Sequence, residues 1–311
     1  MFRLQSPDIT ESSSLVVSTV DPSLAYTAND SGDGPVVYVI DTATGSLVGR
    51  MTLEGVTAVD IEALTGGQDG TLIIADIGDN DRVRASVTVY RAPQPGRGET
   101  AVSAEAVTLR YADGPRDAES VLYDTTSGRV YVVSKELVGT SVYATAPDVF
   151  TREQARLQPV ADGPPVATDA TLLPAGDFAV VRMYRSAAVY RFPSFEHVVD
   201  FGLPELKQGE SIAAPPGGST VWVGTEGERS PVFAVPLPRL PEPPPTPSTS
   251  APPSTTAPAP VDTPPASSED SLSTGRSPAQ QVLTGLGAGL MLLAVVAVVA
   301  VIAVARRRRR T

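Results

Sequence analysis

Before the tail, apolar residues come in short runs separated by turn residues. One stretch shows the pattern most fully. Glu62-Ala63-Leu64-Thr65 leads into the turn Gly66-Gly67-Gln68-Asp69-Gly70, and further runs follow at 71–76, 86–91 and 106–111. Runs of this length, rich in Val, Ile, Thr and Tyr and bounded by Gly, Asp and Asn, predict strands. The plan recurs at 121–123, 130–133 and 141–144, at 171–173, 178–181 and 188–191, and at 211–213, 220–223 and 232–235. A convincing helical period is absent from this region. Residues 151–157 are the one place where a turn or two of helix is expected.

Polar clusters frame each group of runs. The openers are Thr10-Glu11-Ser12, Asp60-Ile61-Glu62-Ala63, Asp117-Ala118-Glu119-Ser120, Thr168-Asp169-Ala170 and Gly209-Glu210-Ser211. The enders are Asn29-Asp30-Ser31, Asp76-Ile77-Gly78-Asp79-Asn80, Lys135-Glu136, Arg182-Met183-Tyr184-Arg185 and Glu226-Gly227-Glu228. The openers return about every 40 to 57 residues, a period that signals a solenoid or a propeller. Four short strands per repeat, closed radially, make a β-propeller blade. The last repeat has room for three strands, and the extended piece Phe2-Arg3-Leu4-Gln5 precedes the first opener. That piece is expected to supply the missing outer strand and close the ring. The fold predicted is an all-β, five-bladed β-propeller, with six blades as the alternative.

In such a ring the start of each innermost strand and the turn from the second to the third strand share one face. Openers and enders therefore gather on one rim. So many carboxylates around a narrow mouth need a cation, interleaved Arg or backbone amides. Three readings follow. The clusters are turn chemistry that every blade needs; or Glu62, Asp76, Asp79, Glu119, Glu136, Glu210 and Glu226 hold Ca²⁺; or the acids pair with Arg84, Arg116, Arg182 or Arg185. Asp76-Ile77-Gly78-Asp79-Asn80-Asp81 looks like a calcium loop without the full EF-hand spacing. Arg182, Tyr184 and Lys135 occupy ender positions that are acidic elsewhere, and are candidates to hold an anionic ligand.

The tail reads differently. Residues 241–280 are rich in Pro, Thr, Ser and Ala, a composition that cannot offset the entropy of ordering and predicts a disordered, extended stalk. Residues 282–305 are uncharged and apolar, long enough for a transmembrane helix over 281–305. Arg306 to Arg310 follow within a 306–311 tail, and the positive-inside bias places them in the cytoplasm. The expected domains are thus a propeller (1–240), the stalk, a single-pass helix in the cell membrane, and the Arg tail, with the propeller outside. Met1 to Asp8 offer no apolar leader, so this orientation predicts a start upstream of Met1.

Composition narrows the chemistry. The chain has 311 residues, 35 acids against 24 Lys and Arg, and a net charge of −11. That argues against nucleic acid as a partner. With no Cys, disulfides, zinc–thiolate sites and thiol nucleophiles are excluded. His197, the one histidine, is expected at the surface or a strand edge. There is no Gly-x-Ser-x-Gly elbow and no phosphate-cradling Gly-Lys-Ser/Thr loop.

The Glu-Ser and Glu-Ala openers, such as Gly209-Glu210-Ser211-Ile212-Ala213, together with Trp222-Val223-Gly224-Thr225-Glu226-Gly227, resemble the phytase-like or esterase-like β-propeller family. Regucalcin-type lactonase and NHL-repeat propellers are a looser likeness. The resemblance covers roughly residues 9–238. It implies an extracytoplasmic propeller of the kind found in actinobacterial surface-anchored proteins, with a polar top face and a calcium-binding capacity. Phytase chemistry would need a dense basic set, and this chain offers Lys135, Lys207 and scattered Arg. The expected function is a membrane-anchored binding or scaffold module for an unidentified surface ligand or protein. The alternative is a metal-dependent hydrolase acting through top-face carboxylates, and no catalytic residue is assigned.

Overall fold

The computed structural model describes residues 2–30 and 32–241. Apart from Pro241, the expected stalk, membrane span and Arg tail lie outside them. The chain starts with β1 (Phe2–Arg3) and continues through β2 (Val16–Val17), β3 (Leu24–Thr27), β4 (Val36–Asp41) and β5 (Leu47–Leu53). Next come β6 (Ile61–Gly66), β7 (Thr71–Asp76), β8 (Val87–Pro93), β9 (Gly98–Val102) and β10 (Glu105–Tyr111). Then follow β11 (Ala118–Asp124), β12 (Arg129–Ser134), β13 (Ser141–Ala144) and β14 (Gln154–Asp162). The last strands are β15 (Asp169–Leu172), β16 (Phe178–Arg182), β17 (Ser186–Arg191), β18 (Glu196–Gly202), β19 (Ile212–Ala213), β20 (Thr220–Val223) and β21 (Pro231–Pro236).

These strands form successive antiparallel units: β2-β3-β4-β5, β6-β7-β8-β10, β11-β12-β13-β14, β15-β16-β17-β18, and β19-β20-β21 completed by β1. The first strand of each unit touches that of the next: β2 meets β6, β6 meets β11, β11 meets β15, β15 meets β19, and β19 returns to β2. The innermost strands thus form a closed cycle, the organisation of a β-propeller. Closure is as the sequence predicts. Phe2 and Arg3 pair with Val232 and Pro231 of β21, and the Phe2 ring meets Trp222 edge-on, 5.6 Å between centroids.

The two-residue period explains why the second strand of each unit is apolar almost throughout. In β7, Ile73 and Ala75 pack toward the third unit while Leu72 and Ile74 pack toward the first. In β12, Val130 and Val132 face back, Tyr131 and Val133 forward. In β16, Ala179 and Val181 face one way and Phe178 and Val180 the other. A sheet buried on both faces needs apolar residues at both parities. The apolar clusters each sit between neighbouring sheets, and the fourth joins the last unit to the first.

Three outer strands depart from the sequence-based expectation. Residues 151–157 are not a helical segment: one 3₁₀ turn covers Val149–Thr151, and β14 begins at Gln154. β14 is exposed at most positions, so it lacks the apolar alternation that marks a strand; the open edges of β13 and β10 recruit it. β9, likewise exposed, runs parallel to β5 and belongs spatially to the first unit. β18 completes the fourth unit and carries His197, half exposed at 51% and bonded to Asp200 at 2.9 Å. Among the described residues no helix is long and apolar enough to cross a membrane.

Candidate functional site

Opener and ender meet through the backbone in the first four units, and the fifth opener bonds two residues short of its ender. Ser12 bridges Asn29, Gly78 N–H donates to Asp60 O, Lys135 N–H to Asp117 O, Thr168 N–H to Arg182 O, and Gly224 N–H to Ser211 O. Two openers carry a β-bulge. The register slips between Ile61 and Ala63 and between Ala118 and Ser120, leaving Glu62 and Glu119 as the extra residues. A bulge re-aims the side chain it adds. Both carboxylates are 2% exposed although they lie at the start of a strand.

Several of the acids find counter-charges within the chain. Lys135 Nζ forms an ion pair with Glu119 Oε2, both side chains nearly buried, and lies 5.3 Å from the Tyr184 ring centroid. Burial works against the Lys135 ammonium, yet Glu119 and Glu210 beside it hold its pKa well above the ordinary lysine value. Burial, then the neighbouring carboxylates Glu119, Asp60 and Asp30, push Glu62 well up. Burial also raises Glu119, with Lys135 opposing and Glu210 adding to the rise. Tyr184 is pushed up to about 12, chiefly by burial. One oxygen of each bulged acid, Glu62 Oε1 and Glu119 Oε1, is buried without a hydrogen-bond partner.

Arg182, fully buried, is held by Nη1 to Ser211 O at 2.5 Å and Gly224 O at 2.8 Å. Burial lowers its pKa to about 10, against the pull of Glu210 and Asp169. Two residues that the sequence pattern does not mark as site residues, Ser14 and Asp169, tie the axis together. Ser14 Oγ donates to Asp169 and accepts from Leu64 N–H, while Asp169 accepts from Ile212 and Ala170 N–H at 2.8 Å. That network links the first, second, fourth and fifth units. Asp169 is pushed well above the carboxylate range by burial, against these donors.

The remaining rim acids close their own loops. Asp76 accepts from Val59 and Asp60 N–H and pairs with Arg84 at 2.8 Å; Asp79 accepts from Val83 and Arg84 N–H. Glu136 pairs with Arg116 at 2.9 Å, and Glu226 accepts from Gln208 at 2.6 Å. Arg185 bonds Glu205 on the surface at 3.0 Å. The geometry thus brings Glu62, Glu119, Lys135, Tyr184, Glu210 and Arg182 together and leaves Asp76, Asp79, Glu136 and Glu226 in separate contacts. Among the described residues no group of three or more His, Asp or Glu is placed to hold a metal ion. Of the acids expected to bind calcium, Asp76, Glu119 and Glu136 pair with Arg84, Lys135 and Arg116, Asp79 accepts from backbone amides and Glu226 from Gln208.

One concavity lies at the other end of the same strands. A depression of about 600 Å³ is framed by Val16, Leu64, Tyr123, Ala170 and Ala214, one from each unit. Its rim is made by the turns that follow, among them Gln68, Thr125, Thr126 and Ala175. Strands rise about 3.3 Å per residue, so Thr65 in this depression stands about 10 Å along β6 from Glu62 in the charged cluster.

No family model matches the chain, and neither does any curated protein. Among solved structures it is similar to hydrazine synthase of Kuenenia stuttgartiensis, at 14% identity and a TM-score of 0.42, covering 76% of this chain and 68% of that one. It is also similar to a Dos1 propeller, at 13% identity and a TM-score of 0.39, covering 72% of this chain and 58% of that one. At these scores neither likeness bears on what the chain does.

Proposed function

We propose that the chain is a five-bladed β-propeller serving as a binding module at the cell surface, its ligand seated in the axial depression opposite the charged rim. The closed cycle of inner strands supports the ring. The observation that carries the binding reading is that all five units contribute to one concavity within the roughly 300–1,000 Å³ of small-ligand sites. The charged cluster then acts as the frame: Lys135 and Arg182 stand among Glu62, Glu119 and Glu210 and fix the inner strands on the axis. The Pro-rich stretch, the uncharged residues 282–305 and the five following Arg support anchoring in the membrane with the propeller outside.

Both halves of the reading have a test. The chain has no Cys, so single cysteines report topology cleanly. In intact cells an impermeant maleimide is expected to label Val138→Cys, at an 81% exposed position, and to spare Thr311→Cys. The reverse pattern defeats the surface assignment. For binding, the purified full chain is screened by thermal shift against saccharides, amino acids, short peptides and nucleotides. A stabilising compound whose effect disappears in Ala175→Trp supports the seat. Turnover of phosphoester, ester or lactone substrates that survives Ala175→Trp would establish the hydrolase alternative instead.

A further inference from the structure

We infer that the axial depression takes a neutral, compact, polyhydroxylated ligand, a mono- or disaccharide; this rests on the depression being the binding seat. Charge is the first argument. In a chain of net charge −11, Asp124 is the sole ionisable carboxylate among the lining residues, and no Lys, Arg or His lines the site. That carboxylate is spent, accepting from Thr126 N–H at 2.9 Å and from Ser127 Oγ at 2.5 Å. A charged ligand would be desolvated here without a partner, which is strongly unfavourable.

Hydrogen-bonding capacity is the second. Thr65, Gln68, Thr125 and Thr126 line the depression, and none of their side chains bonds any described residue. Three hydroxyls and one amide both donate and accept, as sugar hydroxyls do. Between them stand Leu64, Leu172, Pro174 and Phe192, apolar surface suited to the C–H faces of a pyranose ring. Shape is the third argument. The depression is bounded by all five units, so it admits a compact molecule, whereas an extended peptide needs a groove open at both ends. Because its walls are strand ends and tight turns, little ordering accompanies binding.

The test is calorimetric titration of the full chain, held in a detergent without a sugar headgroup. The probes are glucose, galactose, mannose, N-acetylglucosamine, maltose, cellobiose and lactose, with glucuronate and glucosamine as charged counterparts. At least one neutral probe is expected to bind at one site per chain and the charged counterparts at least about tenfold more weakly. Thr65→Val and Gln68→Ala are each expected to weaken binding about tenfold, the worth of one good hydrogen bond. Ala175→Trp, at an exposed rim position, is expected to abolish it. Gln68 is also exposed, so its variant stays informative if Thr65→Val fails to fold. If no neutral saccharide binds but another compound does, and Ala175→Trp blocks it, the saccharide assignment falls while the seat stands. If nothing binds, or binding ignores Ala175→Trp, both fall.

Discussion

Replacing Lys135 by Met removes the one ammonium from the charged cluster while keeping a side chain of similar length. The variant leaves Glu119 without its ion-pair partner and deprives Glu62 and Glu210 of a neighbouring positive charge. Both members of the pair are nearly buried, at 11% and 3% side-chain exposure, so water cannot compensate. Breaking a buried pair from one side costs about 3–5 kcal/mol. A body of this size loses about 2–4 °C in Tm per kcal/mol, so the drop is about 6–20 °C. Glu119→Gln keeps the site polar and relieves carboxylate crowding, so it costs less, and adding it to Lys135→Met restores part of the loss. Thermal and urea unfolding of the full chain, followed by near-UV absorbance and circular dichroism, measure both. A Lys135→Met protein as stable as the wild type would refute the reasoning, because another cation would then be holding the rim.

Three further outcomes follow. Glu62 has a folded pKa raised above its ordinary 4.5, so its contribution favours the folded state below that value and is lost as pH rises through the raised one; stability is expected to fall from about pH 5 upward, and Glu62→Gln to flatten the profile in urea titrations. Phe2→Ala removes a ring that packs in the apolar cluster joining last unit to first, with an expected loss of about 3 kcal/mol and faster amide exchange in β21. A Cβ at Gly49 would stand 2.5 Å from Gly98 O and 2.7 Å from Gly98 N, so Gly49→Ala is expected to detach β9 from β5 at about 1–3 kcal/mol, read as new exchange in 98–102 while the other strands stay protected.

The inner strands were legible because burial writes itself into sequence. β7, β12, β16 and β20 need apolar residues at both parities, and the turns between them need Gly, Asp and Asn. The closing role of Phe2 and Arg3 could be inferred because the last unit is one strand short. The outer strands resisted for the converse reason: β9, β14 and β18 are largely exposed, and their partners come from edges that only the assembled ring offers. At the rim, sequence placed acids and bases on one face but could not say which would meet. Lys135 and Glu119 both stood out as candidates, but nothing local says that the bulge at Glu119 turns that carboxylate toward Lys135. Asp169 passed as one more turn acid, since nothing local reveals that Ser14, far upstream, would lie across the axis from it. The depression left no motif, because it is assembled from turns belonging to all five units.

The perimeter of the ring is laced unevenly. Parallel pairing joins β5 to β9 and β10 to β14, binding the first three units at their outer edges, and β1 carries the fifth unit back to the first, where Gln5 N–H reaches Gly45 O. The β15–β18 sheet has no strand pairing with either neighbour. Side chains do there what strand pairing does elsewhere: Arg182 reaches Ser211 O and Gly224 O, and Asp169 accepts from Ser14 and Ile212. The sheet bears Arg182, Asp169 and Tyr184 at one end and Ala170 to Gly176 at the other, so the same few polar bonds register both the ionic frame and the wall of the depression.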